Sequence, residues 1–128
     1  MNLYTYGVKV TSVYDGDTVT ADIDLGFGVW LHGQKLRLVG IDTPEIRGGT
    51  PETKLAARKS RDFVRHYLLG DDEVRIESQG KGKYGRWLAR IYVKEQSDSA
   101  AWYCLNDRLI ERGLAEPYGK KKTNIPAC

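Results

Sequence analysis

Two short segments, Asp15-Gly16-Asp17-Thr18 and Arg37-Leu38-Val39-Gly40-Ile41-Asp42-Thr43-Pro44-Glu45, set carboxylates and a guanidinium just past strand-like runs. Lys83-Tyr84-Gly85-Arg86 adds a second arginine from a later loop. Asp17, Asp42 and the backbone carbonyl of Thr43 are oxygen donors of the kind that calcium accepts at loose geometry, with water completing its shell. Two aspartates that converged without a cation would repel each other and titrate abnormally. Glu45 remains as a carboxylate that need not ligate. Beside a metal-held phosphate it would orient or deprotonate the attacking water. Arg37 and Arg86 are planar forks that bond phosphate oxygens in pairs and stabilise charge developing on them. The set suits hydrolysis of a phosphodiester.

Each piece taken singly has a plainer reading. Asp15-Gly16-Asp17 is a turn, Asp42-Thr43-Pro44 ends a strand, and Glu45 is a rim carboxylate. Arg37 is then an ion-pair partner, and Arg86 a solvated loop charge. Their conjunction is what points to chemistry, and it requires strand ends that are neighbours in space.

The elements that would supply those strand ends are legible. Val8–Val13 reads as a first strand leading into the Asp-Gly turn. From Thr18 to Leu25 the alternation is strict, with Val19, Ala21, Ile23 and Leu25 on one face, which marks a half-buried strand. Gly26-Phe27-Gly28 breaks it, and Val29–Leu31 offers a return before Gly33. Leu36–Ile41 is a third strand, with Arg37 opposite Leu36 and Leu38, and it is stopped before Pro44. Thr50-Pro51-Glu52 is an N-cap, an N1 proline and a first-turn acid. The expected stripe of that helix is Ala56, Ser60, Phe63, Val64 and Tyr67, closed by Gly70. Glu73–Ser78 and Trp87–Val93 are further strands around the Gly/Lys-rich loop 79–86. Ser97-Asp98-Ser99 would cap a second helix with the stripe Trp102, Leu105, Leu109 and Ile110, ended by Gly113. Three strands, a helix, two strands and a helix is the order of an α+β, mainly β, five-stranded Greek-key barrel of OB type.

Size and composition are compatible with this. The 128 residues make one domain able to bury a core without staples. Residues 1–118 form the expected unit and 119–128 a basic, flexible tail, with mobility from Pro117 onward. No run approaches the roughly 20 apolar residues of a membrane helix. The first residues show neither a basic nor an apolar leader segment. If Met1 is the start, the chain is expected to act in the cytoplasm, as a monomer. Cys104 and Cys128 lack metal-site spacing, and Cys104 reads as a small hydrophobe within a helix rather than as half of a disulfide. The net charge of +3 is unevenly spread. Residues 1–50 hold four Lys/Arg against six Asp/Glu and residues 51–128 sixteen against eleven, as a cation site followed by a polyanion-facing surface would require, although chance clustering gives the same pattern.

With these residues in view, the chain resembles the staphylococcal nuclease (thermonuclease-like) family. The likeness rests on DGDT at 15–18, RLVGIDTPE at 37–45 and KYGR at 83–86, followed by a Leu-Ala-x-Ile-Tyr strand and Arg-Gly-Leu-Ala at 112–115. It implies calcium-dependent endonuclease and exonuclease activity on DNA and RNA, with cleavage of the bond between phosphorus and the 5′-oxygen. By position, Asp17 and Asp42 match metal carboxylates and Thr43 a carbonyl ligand. Arg37 and Arg86 match phosphate-binding arginines, and Glu45 a water-orienting glutamate. Asp15 matches an outer-shell acid, and Lys83 and Tyr84 match contacts to a nucleotide phosphate.

Three departures stand out. The segment from Asp22 to Gln34 is longer than in the secreted bacterial members. The spaced tyrosine pair that packs the base is absent, with Tyr118 a loose substitute. The C-terminal helix of longer members is missing. The competing reading is a non-catalytic OB-type module that binds nucleic acid or protein. Such a module has no need of both arginines, both metal acids and Glu45 together.

Overall fold

The computed structural model describes residues 4–44, 49–70, 73–82, 85–94 and 102–118. In chain order the elements are β1 (Thr5–Asp15), β2 (Thr18–Asp24), β3 (Trp30–Leu38), β4 (Ile41–Asp42), α1 (Pro51–Leu68), β5 (Glu73–Lys81), β6 (Trp87–Lys94), β7 (Trp102–Cys104), α2 (Leu105–Glu111) and β8 (Glu116–Pro117). Strands β3, β2, β1, β5 and β6 follow one another by antiparallel pairing. A parallel pairing of β3 with β6 (Leu36 with Trp87, Arg37 with Leu88, Leu38 with Ala89) then closes the barrel. This is the expected five-stranded OB-type architecture. Closure leaves the barrel strands without a free edge at the join, which is where Arg37 lies.

The alternation foreseen for β2 is realised as far as Ile23, whereas Leu25, expected on the same buried face, lies past the end of the strand and is exposed. Val19, Ala21 and Ile23 point inward, where they meet Val10, Val13, Leu36, Leu38, Ile76, Ala89 and Ile91. Each fully buried Val, Leu or Ile contributes about 1.5–3 kcal/mol relative to exposure. Helix α1 begins as foreseen. Thr50 caps it, its Oγ1 accepting from Thr53 N (3.2 Å) while Thr53 Oγ1 accepts from Thr50 N (2.9 Å), with Pro51 in the first turn. Its buried line is Ala57, Ser60, Val64 and Leu68. Ala56, Phe63 and Tyr67 flank that line and are only partly buried, Phe63 and Tyr67 packing against the core. Phe63 and Tyr67 pack against each other, and Tyr67 packs against Tyr103.

Four expectations are corrected. Strand β3 is longer than Leu36–Ile41 at its start and shorter at its end, because Gly40 (φ 81°) turns the chain. Ile41 and Asp42 therefore form a separate strand, pairing with Pro117 and Glu116. Pro117 accordingly belongs to the fold, and Tyr118 N donates to Gly40 O at 3.0 Å. Trp102–Cys104 is a strand on the free edge of β6, as its aromatic content favours, and α2 starts only at Leu105. Cys104 is buried and disulfide-bonded rather than a free thiol in a helix. Sequence spacing carries no information on such a pairing. The expected caps Ser97–Ser99 and the tail 119–128 lie outside the described residues. No described helix is long and apolar enough to cross a membrane.

One buried amide fixes the closure. Asn106, 3% exposed, accepts from Ile91 N (3.0 Å) and donates to Val39 O (2.9 Å) and Ala89 O (3.2 Å). Val39 N also donates to Ala89 O. A satisfied amide at this point sets the start of β6 against the end of β3, and with them Arg86 against Arg37.

Candidate active site

The turn after β1 delivers Asp17, and the turn after β3 delivers Asp42 and Thr43. Register brings them together: Thr18, next to Asp17, pairs with Arg37, and Leu38 N donates to Asp17 O at 2.9 Å. Arg37 Nη2 lies 2.6 Å from Asp42 Oδ1 and 3.5 Å from Asp17 Oδ2, so one nitrogen reaches both acids. Arg37 Nη1 donates to Leu38 O at 2.6 Å. Asp17 Oδ2 accepts from Thr43 N at 3.1 Å, and its Oδ1 accepts from Thr18 Oγ1, also at 3.1 Å. Arg86 Nη1 donates to Thr18 Oγ1 at 3.3 Å, which links the second arginine to the same carboxylate.

Burial divides these groups by task. The side chains of Asp17 and Arg37 are only 12% and 13% exposed, whereas that of Asp42 is 49% exposed. A buried ion pair persists when each partner is held by further hydrogen bonds, as here. Asp17 is thus a fixed anchor, and Asp42 is open to whatever enters.

A groove of about 520 Å³ adjoins the pair, lined by Arg37, Gly40, Lys81, Arg86, Leu88 and Tyr118 among others. That volume is in the range that takes a nucleotide-sized ligand. Its three cationic side chains favour an anion. A second cavity of about 570 Å³ is lined by Asp42 itself, with Thr43, Lys59, Ser60 and Glu116 among others.

The donors fit a hard cation. Every polar atom that Asp17, Asp42 and Thr43 bring as a ligand is oxygen, and Thr43 Oγ1 is buried without a hydrogen-bond partner among the described residues. No set of three His, Cys, Asp or Glu side chains converges among the described residues, and a cation held there would take Asp17, Asp42 and backbone oxygen as its protein donors. Calcium tolerates such a set, and structural zinc does not.

Asp15 ends β1, opposite Thr18 of β2, with one carboxylate oxygen buried. Glu45, Lys83 and Tyr84 lie outside the described residues. Sequence reasoning missed Thr18 as the bridge between Asp17 and Arg86, while Lys81, expected in the loop with Arg86, and Tyr118, expected only as a loose substitute for a base-packing tyrosine, both line the groove. Thr18 was in view as the fourth residue of DGDT. The place of Tyr118 beside the arginines depends on the pairing of β4 with β8, which no local pattern shows.

Gly16 allows the two turns to nest. A methyl group there would come within 2.9 Å of both Thr43 Cγ2 and Ser60 Cβ. Ser60 cannot retreat freely, since it is buried in α1 and its Oγ donates to Leu114 O at 2.6 Å. Gly16→Ala is therefore expected to lower stability by about 1–3 kcal/mol, as overpacking does elsewhere. Urea unfolding measures this, and an unchanged midpoint would show that the contact is soft.

The barrel and its acid–arginine cluster define a class: OB-type domains with a phosphate-ready groove at the closure. The chain matches the family model described as staphylococcal nuclease homologue over residues 35–127, and it belongs to that family. It is 34% identical over 117 residues to a thermonuclease of Staphylococcus hyicus, a match covering 89% of this chain and 59% of the relative. A thermonuclease of Staphylococcus intermedius is 33% identical, with 91% and 73% covered. A protein named uncharacterized endonuclease from Haemophilus influenzae is 27% identical, with 86% and 51% covered. The chain thus spans between about half and three-quarters of the length of these relatives.

Proposed function

We propose that this domain hydrolyses phosphodiester bonds in DNA or RNA with the help of a divalent cation, calcium by family resemblance. The observation that carries the reading is that Arg37 contacts both Asp17 and Asp42 while lining one groove with Arg86. Asp17, Asp42 and the Thr43 carbonyl would hold the cation, with Asp15 behind them. When bound, that ion supplies positive charge at the phosphate and makes a nearby water more acidic.

The chain's own groups do the rest. Arg37 and Arg86 grip the phosphate and stabilise the charge that builds on its oxygens. Glu45, three residues beyond Asp42, orients the attacking water and takes its proton, and the 5′-oxygen leaves. Lys81, with Lys83 and Tyr84 from the adjoining loop, receives a neighbouring phosphate, and Tyr118 offers a ring for the base. Contacts of this kind go to the backbone, so sequence preference is weak and salt dependence steep. Residues 1–118 are the working unit, active as a monomer, with 119–128 as a basic extension.

Plasmid DNA is expected to be degraded with calcium and spared when a chelator is in excess. Magnesium and manganese in parallel, on single- and double-stranded DNA and on RNA, identify the preferred ion and substrate. Equal digestion with and without chelator would defeat the cation part of the reading. No digestion under any ion would leave a binding module.

A further inference from the structure

The β2–β3 ribbon carries, at its end remote from Arg37, side chains that the hydrolytic reading does not use. Leu25, Phe27, Val29, Trp30 and Leu31 are all exposed. Phe27 stands wholly in solvent at φ 54°, a conformation unfavourable for a bulky residue, between Gly26 and Gly28. The tip is nonetheless ordered by hydrogen bonds between Leu25 N and Val29 O and between Val29 N and Gly26 O, both 2.9 Å.

A bulge decides where the aromatics face. Ala21 pairs with Gln34 and Ile23 with Leu31, so Asp22 stands opposite two residues, His32 and Gly33. Without the extra residue, simple alternation would put Trp30 and His32 on the face of Leu36 and Leu38, inside the barrel. The bulge reverses the parity and re-aims them. They join Lys35 and Arg37 on the outer face, opposite Asp24, Thr20 and Thr18. There the Trp30 and His32 rings stack at 6.5 Å, only 11° from parallel. Lys9, paired with Asp22, adds a cation from β1. Trp30 is seven residues from Arg37, about 20 Å along the strand.

We propose that this outer face is a distal subsite for single-stranded nucleic acid, in which bases beyond the cleaved phosphate stack on Trp30 and His32. The backbone between them passes Lys35 and Lys9. This rests on the hydrolytic reading above and adds to it a preference for longer strands. A flat ring pair followed by a row of cations is the pattern that binds single strands without regard to sequence. The strands β2 and β3 of OB barrels commonly present such a surface. The face is also continuous with the groove, since Arg37 belongs to both. Its two acids are engaged within the ribbon. Asp22 accepts from Gly33 N at 2.9 Å and lies 3.3 Å from His32 Nδ1, and Asp24 accepts from Gly26 N at 2.9 Å. The Gly33 amide, more than the imidazole, holds the Asp22 carboxyl below its ordinary range and so keeps it ionised beside His32.

The test compares oligothymidylates of about 12 and about three nucleotides, lengths at and below the site size of an OB fold. Fluorescence anisotropy in chelator reads binding by the intact protein. Trp30→Ala combined with His32→Ala is expected to weaken the longer strand about tenfold and leave the shorter unchanged, and Trp30→Phe to recover most of the loss. With the cation present, KM for the longer strand should rise while turnover of the shorter holds. An unchanged ratio of long to short affinity would overturn the subsite. Loss of a wild-type dimer with oligonucleotide binding intact would do so too, and would assign the face to a second copy. Wild-type protein that cleaves neither strand sinks the hydrolytic reading instead, because the binding ratio is measured without cleavage.

Discussion

Arg86→Ala is expected to slow phosphodiester cleavage at least ~100-fold while leaving the fold intact, the loss usual when a preorganised charge-stabilising group is removed. Arg86 precedes β6, reaches Thr18 Oγ1 at 3.3 Å and lines the same groove as Arg37. It is not among the side chains that fill the core. In the proposed mechanism its charge would matter most when the phosphate oxygens gain negative charge, so turnover should fall more than KM rises. Arg86→Lys keeps the charge and loses the fork, and should recover only part of the rate. Initial rates together with thermal melting decide the matter. Wild-type turnover in a folded Arg86→Ala protein would remove Arg86 from the chemistry.

Asp17→Asn is expected to be as damaging by another route. The amide keeps the shape of the side chain and can still accept from Thr43 N or Thr18 Oγ1. The negative charge facing Arg37 Nη2 at 3.5 Å is gone, and with it half of the formal charge that would hold a cation. Hard-cation affinity follows the number of charged ligands, so half-saturating calcium should rise about tenfold or more. Cleavage at fixed calcium should drop at least ~100-fold. Calorimetric titration and rates across a calcium series separate the two effects. A variant that bound calcium normally yet failed to cleave would show that Asp17 serves chiefly to hold Arg37 in place.

Local chemistry was enough for much of the framework. The alternation from Thr18 to Leu25 announced β2, one residue too long, and Thr50-Pro51 announced the start of α1 to the residue. Asp15-Gly16 announced the turn that carries Asp17. These features depend on neighbours within a few positions, where backbone preference and capping dominate. The same reasoning missed the strand at Trp102–Cys104, because Trp102, Leu105 and Leu109 also fit a helical period. An unpaired edge on β6 tipped that balance, and no local window contains it.

Of the candidate site, the sequence by itself determined the cast: Asp17, Arg37, Asp42, Thr43 and Arg86 follow from motif chemistry alone. Tertiary structure decided who touches whom. Register between β2 and β3 set Thr18 opposite Arg37, and the Gly40 turn freed Asp42 to pair beside Glu116. The short β4–β8 ladder brought Tyr118 to the groove, and one bulge turned Trp30 outward. A side chain's identity is written in the chain, but the face it occupies is fixed by strand pairing. A shift of a single residue there reverses inside and outside.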